Sequence, residues 1–161
     1  MLSVFDGLRD VTTLSVFVRL ACALICGGII GIERSYKRRP AGFRTHILIC
    51  IGAAITTLTS QYLYLNMHYF TDMARLGAQV VAGIGFIGAG TIIVTKRQRV
   101  KGLTTAAGLW TSAIIGLTFG GGFYEGGILA TVFIMLAELV FSRIEYRVLE
   151  NVPEINLYTV S

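Results

Sequence analysis

The chain has 161 residues, of which 54% are hydrophobic and only 14% charged, with a formal net charge of +5. A soluble domain carries about 25% charged residues, so this composition excludes intrinsic disorder, argues against an ordinary cytosolic enzyme and points to a chain dissolved in lipid. The excess of Lys and Arg is read first as charge that orients a membrane protein, not as a nucleic-acid surface.

Five apolar windows are predicted as membrane-crossing helices: 14–32, 45–65, 76–95, 103–123 and 126–141. A bilayer core needs about 20 helical residues; the first four windows fit directly, and the last needs Ser142 and a flanking turn. No strand-like alternation is visible, so the predicted fold is an all-α transmembrane bundle. Asp6 and Asp10 precede the first window and the basic cluster follows it, the reverse of a signal peptide.

The first window places Ala23, Gly27 and Gly31 in one small-residue row, which allows close helix approach in lipid. It also carries Arg19 inside and Glu33 at its end, and ionisable groups within a span are functional candidates. Arg19 is expected to snorkel or to meet Asp72 or Glu125. The following loop holds Arg34, Lys37, Arg38, Arg39 and Arg44, with Pro40 and Gly42 setting a turn and Thr45 capping the second helix. Cys22, Cys26 and Cys50 lie inside windows and read as packing residues, and His46 and His68 lack partners at zinc-ligand spacing.

The third window runs Gly83-Ile84-Gly85-Phe86-Ile87-Gly88-Ala89-Gly90, small on nearly every side, and is predicted to be the central helix. Its GxGxxG spelling lacks the preceding strand and the later acid of a dinucleotide site, so that reading is rejected; a glycine-rich half-helix lining a cavity is the alternative. After the basic loop 96–101, the fourth window aligns Thr104, Gly108, Ser112, Gly116 and Gly120 on one face. In the fifth, Glu138 lies within reach of Glu33, Arg34 or Arg44, and a Glu33–Glu138 pair would hold either a cation such as magnesium or the guanidinium groups of Arg34 and Arg44.

Charge sets the expected topology. Basic residues crowd the first and third loops and the segment holding Arg143 and Arg147, whereas the opposite side has only Arg9 and Arg75 beside Asp6, Asp10, Asp72 and Glu125. An extracytoplasmic N-terminal segment (1–13), a five-helix domain (14–142) and a cytoplasmic tail (143–161) follow. Residues 154–161 read like the first strand of a further soluble domain.

Three blocks resemble a known family. Gly31-Ile32-Glu33-Arg34 with Ala41-Gly42-Phe43-Arg44-Thr45-His46, then 78–90, then 100–110, occur in the order found in the MgtC/SapB membrane proteins, and the likeness runs from about Phe17 to Phe141. The resemblance implies a bacterial inner-membrane protein of about five helices without known catalytic chemistry. Its members are linked to growth in low magnesium and to virulence-associated survival inside host cells, and some are reported to restrain the F-type ATP synthase. Within the matching blocks it singles out Glu33, Arg34, Arg44, Thr45, Gln79, Thr104, Thr105 and Trp110, and just ahead of the second block Arg75, although Asp72-Met73-Ala74-Arg75 lacks the family's proline.

Two functions are weighed on this basis. One is a regulator that docks a membrane complex such as the F-type ATP synthase through small-residue faces and basic loops, itself as a homo-oligomer in the bilayer. The other is a magnesium transporter or ion-binding protein using Glu33, Glu138 and the third window. Magnesium is the one cofactor considered, nucleic acid is not expected as a partner, and no nucleophile–base pair suggests an enzyme.

Overall fold

A computed structural model describes residues 3–69, 72–96 and 99–150. The residues form an all-α bundle: α1 (Thr13–Tyr36), α2 (Phe43–Leu65), α3 (Arg75–Ala89), α4 (Leu103–Gly120), α5 (Tyr124–Leu136) and α6 (Ser142–Glu150). A single π-helical turn, Ala137–Phe141, joins α5 to α6 without a break, and a short 3-10 turn, Ser3–Leu8, precedes α1. Among the described residues, four helices are long and apolar enough to cross a membrane: α1, α2, α4 and the continuous stretch Tyr124–Ile144. The part of the sequence that reads like a strand, 154–161, lies outside the described residues.

The third window departs from expectation. α3 has 15 residues, about 22 Å, against a bilayer core of roughly 30 Å. After Gly90 the chain turns into a two-stranded hairpin, β1 (Ile93–Val94) and β2 (Val100–Lys101), pairing Ile93 with Lys101 and Val94 with Val100. The β-branched run Ile92-Ile93-Val94 favours an extended backbone, and Thr91 ends the helix by donating its hydroxyl to the Gly88 carbonyl at 2.8 Å. Gly102, at φ +97°, returns the chain into α4, and a Cβ there would collide with the Thr91 carbonyl.

The helix starts also differ in one place. Thr12 and Ser15 close a reciprocal capping box on α1. α2, however, begins at Phe43 with Gly42 as its cap, so Thr45 lies within the first turn and does not cap. The chain reverses early, at Arg38 with φ +52°, and the Ser35 hydroxyl at the end of α1 accepts from the Phe43 N–H at 2.8 Å instead.

The central helix is α4, not α3. α4 touches α1, α2, α3 and α5 and buries Thr105, Gly108, Leu109, Ser112, Ala113, Ile115, Gly116, Phe119 and Gly120. A Cβ at Gly116 would run into the Cys50 carbonyl and Ala53, and one at Gly120 into the Ala54 carbonyl, so these glycines let α4 lie against the backbone of α2. Gly27 and Gly31 do the same for α1, against Cys50 and the His46 carbonyl and against Phe43. α3 buries only Ile84 and Gly88, the latter against Ala106. Gly83 and Gly85 face open space. Richness in glycine permits close contact on every side of a helix, but contact also needs a neighbour on that side, and α3 sits at the edge.

Candidate functional site

The two ends of α1 each bury an arginine. At the C-terminal end, Glu33, Arg34 and Lys37 follow one another within little more than a turn. Arg34 is 1% exposed and Glu33 7%, so both charges are withdrawn from solvent. Arg34 Nε lies 2.9 Å from Glu33 Oε2, and Arg34 Nη1 lies 2.7 Å from Glu138 Oε1. Lys37 Nζ, four residues on, lies 2.7 Å from Glu33 Oε1. The Glu33 contacts are ion pairs off the hydrogen-bond direction, whereas Arg34 donates an aligned bond to Glu138.

The π turn has a role here. It starts beside Glu138, and a π turn displaces the regular backbone pairing of a helix. The Glu138 carbonyl accepts from Lys37 Nζ at 2.6 Å, and the Ser142 hydroxyl lies 3.4 Å from the same ammonium. α1 is thus pinned to the α5–α6 helix by two carboxylates and two cations whose charges cancel.

That balance decides the fit of a metal. Magnesium takes carboxylates and retained waters in near-octahedral geometry. Glu33 and Glu138 instead face Arg34 and Lys37, and among the described residues no three His, Cys, Asp or Glu side chains converge. The residues present do not fit a magnesium ion at this place.

His46 is fully buried nearby. Its Nδ1 lies 2.9 Å from the Gly42 carbonyl, which places a ring proton on Nδ1, while Nε2 faces Gly108 and has no hydrogen-bond partner among the described residues.

At the other end Arg19 is 0% exposed and does not snorkel. It meets neither Asp72 nor Glu125. Its Nη1 donates to Gln61 Oε1 at 2.7 Å and to the Gly120 carbonyl at 2.8 Å; its Nη2 donates to the Leu8 and Arg9 carbonyls at 3.3 and 2.5 Å. Gly120 is the last residue of α4, where unpaired carbonyls carry partial negative charge. Gly122, at φ +76°, makes room: a Cβ there would lie 3.0 Å from Nη2. The expected acids serve elsewhere. Glu125 pairs with Arg9 at 2.6 Å, and Asp72 accepts from the Ala74 N–H at 2.9 Å.

Of the residues singled out from sequence, the structure brings together Glu33, Arg34 and Glu138. Arg44 is exposed and makes no ion pair among the described residues. Arg75 and Gln79 are exposed on α3, whose start lies by the far end of α2, where the Ser60 hydroxyl donates to the Met73 carbonyl at 2.7 Å. Thr105 is buried on α4, while Thr104 and Trp110 are exposed. Sequence reasoning missed Lys37 and Gln61 as partners. The i, i+4 spacing of Glu33 and Lys37 was a usable signal, as was Gln61, the one carboxamide in α2.

Comparison with known proteins identifies the family. The MgtC family model matches residues 20–147. The chain is 40% identical to a protein of Escherichia coli K12 called putative magnesium transporter YhiD, over 92% of this chain and 71% of that protein. It is 37% identical to Protein MgtC of Salmonella typhimurium LT2, over 81% of this chain and 54% of that protein, so it spans about half the length of that relative. No solved structure matches. With the family pattern covering α1 through the Glu33–Arg34–Glu138 cluster and on into α6, the chain is a membrane protein and belongs to the MgtC family.

Proposed function

We propose that the chain is a magnesium-linked regulator of the bacterial inner membrane that acts by docking another membrane complex, for which the F-type ATP synthase is the leading candidate. In this reading five helices cross the bilayer, with the N-terminus outside and the basic loops toward the cytoplasm, and the chain works as a homo-oligomer. The link to magnesium comes from the relatives' names and the family resemblance. The observation that carries regulation over transport is the closed charge balance of Glu33, Glu138, Arg34 and Lys37. A conduction path needs polar ligands left free for the ion, and these carboxylates are committed to the protein's own cations.

The lipid-facing side of α3 supports docking. A Cβ at Gly83 or Gly85 would meet nothing within 4 Å among the described residues, and a shallow apolar groove of about 350 Å³ runs between Leu48, Gly52, Val80, Gly83 and Ile87. Capture of the chain from native membranes should retain ATP synthase subunits, and proteoliposomes holding the purified chain should pass magnesium no faster than empty ones. Magnesium flux that follows protein dose would replace regulation with the transport suggested by the name of the Escherichia coli relative.

A further inference from the structure

The hairpin between α3 and α4 has a chemistry that neither arginine site uses. Thr95, Lys96, Arg99 and Lys101 line a cavity of about 350 Å³. Two bonds fix its rim: the Thr95 N–H donates to the Arg99 carbonyl at 2.9 Å, and the Arg99 N–H to the Thr95 hydroxyl at 3.2 Å. No Asp or Glu occurs between Arg75 and Glu125 in the sequence. Among the described residues, Lys96, Arg99 and Lys101 pair with no carboxylate, whereas Arg9, Arg34 and Lys37 each do.

The surroundings of the cavity are apolar. Ile93, Val94, Val100 and Leu103 are all at least half exposed, an arrangement ill suited to water and, with three cations among them, equally ill suited to hydrocarbon. It suits the layer between, where phosphate meets cations and acyl chains begin. No side chain caps the first turn of α4, whose 18 residues start at Leu103 beside Lys101, so its amide dipole adds to the positive field.

We propose that this cradle is a binding site for the phosphodiester headgroup of an anionic phospholipid, with Lys96, Arg99 and Lys101 on the phosphate and Ile93 and Val94 against the acyl chains. The site would anchor the α3–α4 connection in the interface and hold the short α3 at a fixed depth.

The test uses the full chain in a neutral detergent, with acyl-labelled phosphatidylglycerol and phosphatidylcholine as probes. Phosphatidylglycerol should bind in preference, and Lys96→Gln/Arg99→Gln/Lys101→Gln should weaken it about tenfold or more, since each cation near an anionic headgroup contributes appreciably. Arg38→Gln/Arg39→Gln, in the other basic loop, should change it far less, and Lys96→Arg/Lys101→Arg should preserve it. Equal affinity for the two lipids, or undiminished binding by the triple Gln variant with its thermal midpoint intact, overturns the proposal. Displacement of the lipid by millimolar inorganic phosphate overturns the lipid assignment in favour of a free-phosphate site.

Discussion

Arg19 and Arg34 stand 15 residues apart on one helix, about 22 Å along its axis, and the bundle neutralises them by different means. Arg34 is met by full charges, the carboxylates of Glu33 and Glu138. Arg19 is met by dipoles: one side-chain amide and three backbone carbonyls, one of them at the end of α4. Carboxylates fix which helix lies beside α1 at one end, because a particular side chain must be present. Carbonyls fix the path of the backbone at the other end, because any residue supplies one and only the fold can aim it. The first arrangement is sensitive to side-chain substitution on either partner; the second is sensitive to the turn that carries the carbonyls, including Gly122.

The largest effect should follow loss of the Arg34 charge. Arg34→Met leaves the buried Glu33 and the half-buried Glu138 with only Lys37 to offset them, and breaking a buried pair from one side costs about 3–5 kcal/mol; unfolding in detergent should show it. Replacing the partners as well, with Glu33→Gln and Glu138→Gln in the same chain, should recover part of that loss. If the triple variant is no more stable than Arg34→Met, the carboxylates are not what Arg34 neutralises.

Arg19→Lys should come next, at about 1–3 kcal/mol, because a single ammonium cannot serve four acceptors spread around a planar guanidinium. Here Glu125→Gln should not relieve the defect, since Glu125 belongs to Arg9. A rescue would mean that Arg19 is held by a carboxylate after all, and the contrast between the two ends would collapse.

Smaller and opposite effects should separate α4 from α3. Gly116→Ala meets the Cys50 carbonyl and should cost about 1–3 kcal/mol by overpacking. Gly83→Ala enters open space and should stabilise the isolated chain by up to about 1 kcal/mol through helix propensity. If Gly83→Ala leaves stability intact but weakens self-association or capture of a partner complex, that face of α3 is the docking surface.

The spans themselves were legible because hydropathy over some twenty residues is a sum, insensitive to any one neighbour. α1, α2, α4 and the α5–α6 stretch all fall where apolar windows predict them. Gly27, Gly31, Gly116 and Gly120 were legible as packing positions for the same reason, since a row of small residues is a local pattern. The rank of the helices was not. α3 looked central on composition, yet which helix is surrounded depends on the order in which five cylinders stack, and glycine content does not encode it.

Among the charged groups, what the sequence determined is which residues must escape hydrocarbon: Arg19, Glu33 and Glu138 stand out by their cost in any arrangement. It also restricted Glu33 to partners near one end of α1, because rise per residue converts numbering into depth. Tertiary structure alone decided that Arg44 stays outside the Glu33–Arg34–Glu138 cluster, and that Arg19 takes carbonyls and not Asp72 or Glu125. The physical reason is common to both: depth is a one-dimensional quantity carried by the chain, whereas pairing needs the lateral placement of helices and the course of their turns. Those are set by backbone contacts at Gly27, Gly31, Gly116 and Gly120, made between residues far apart in the chain.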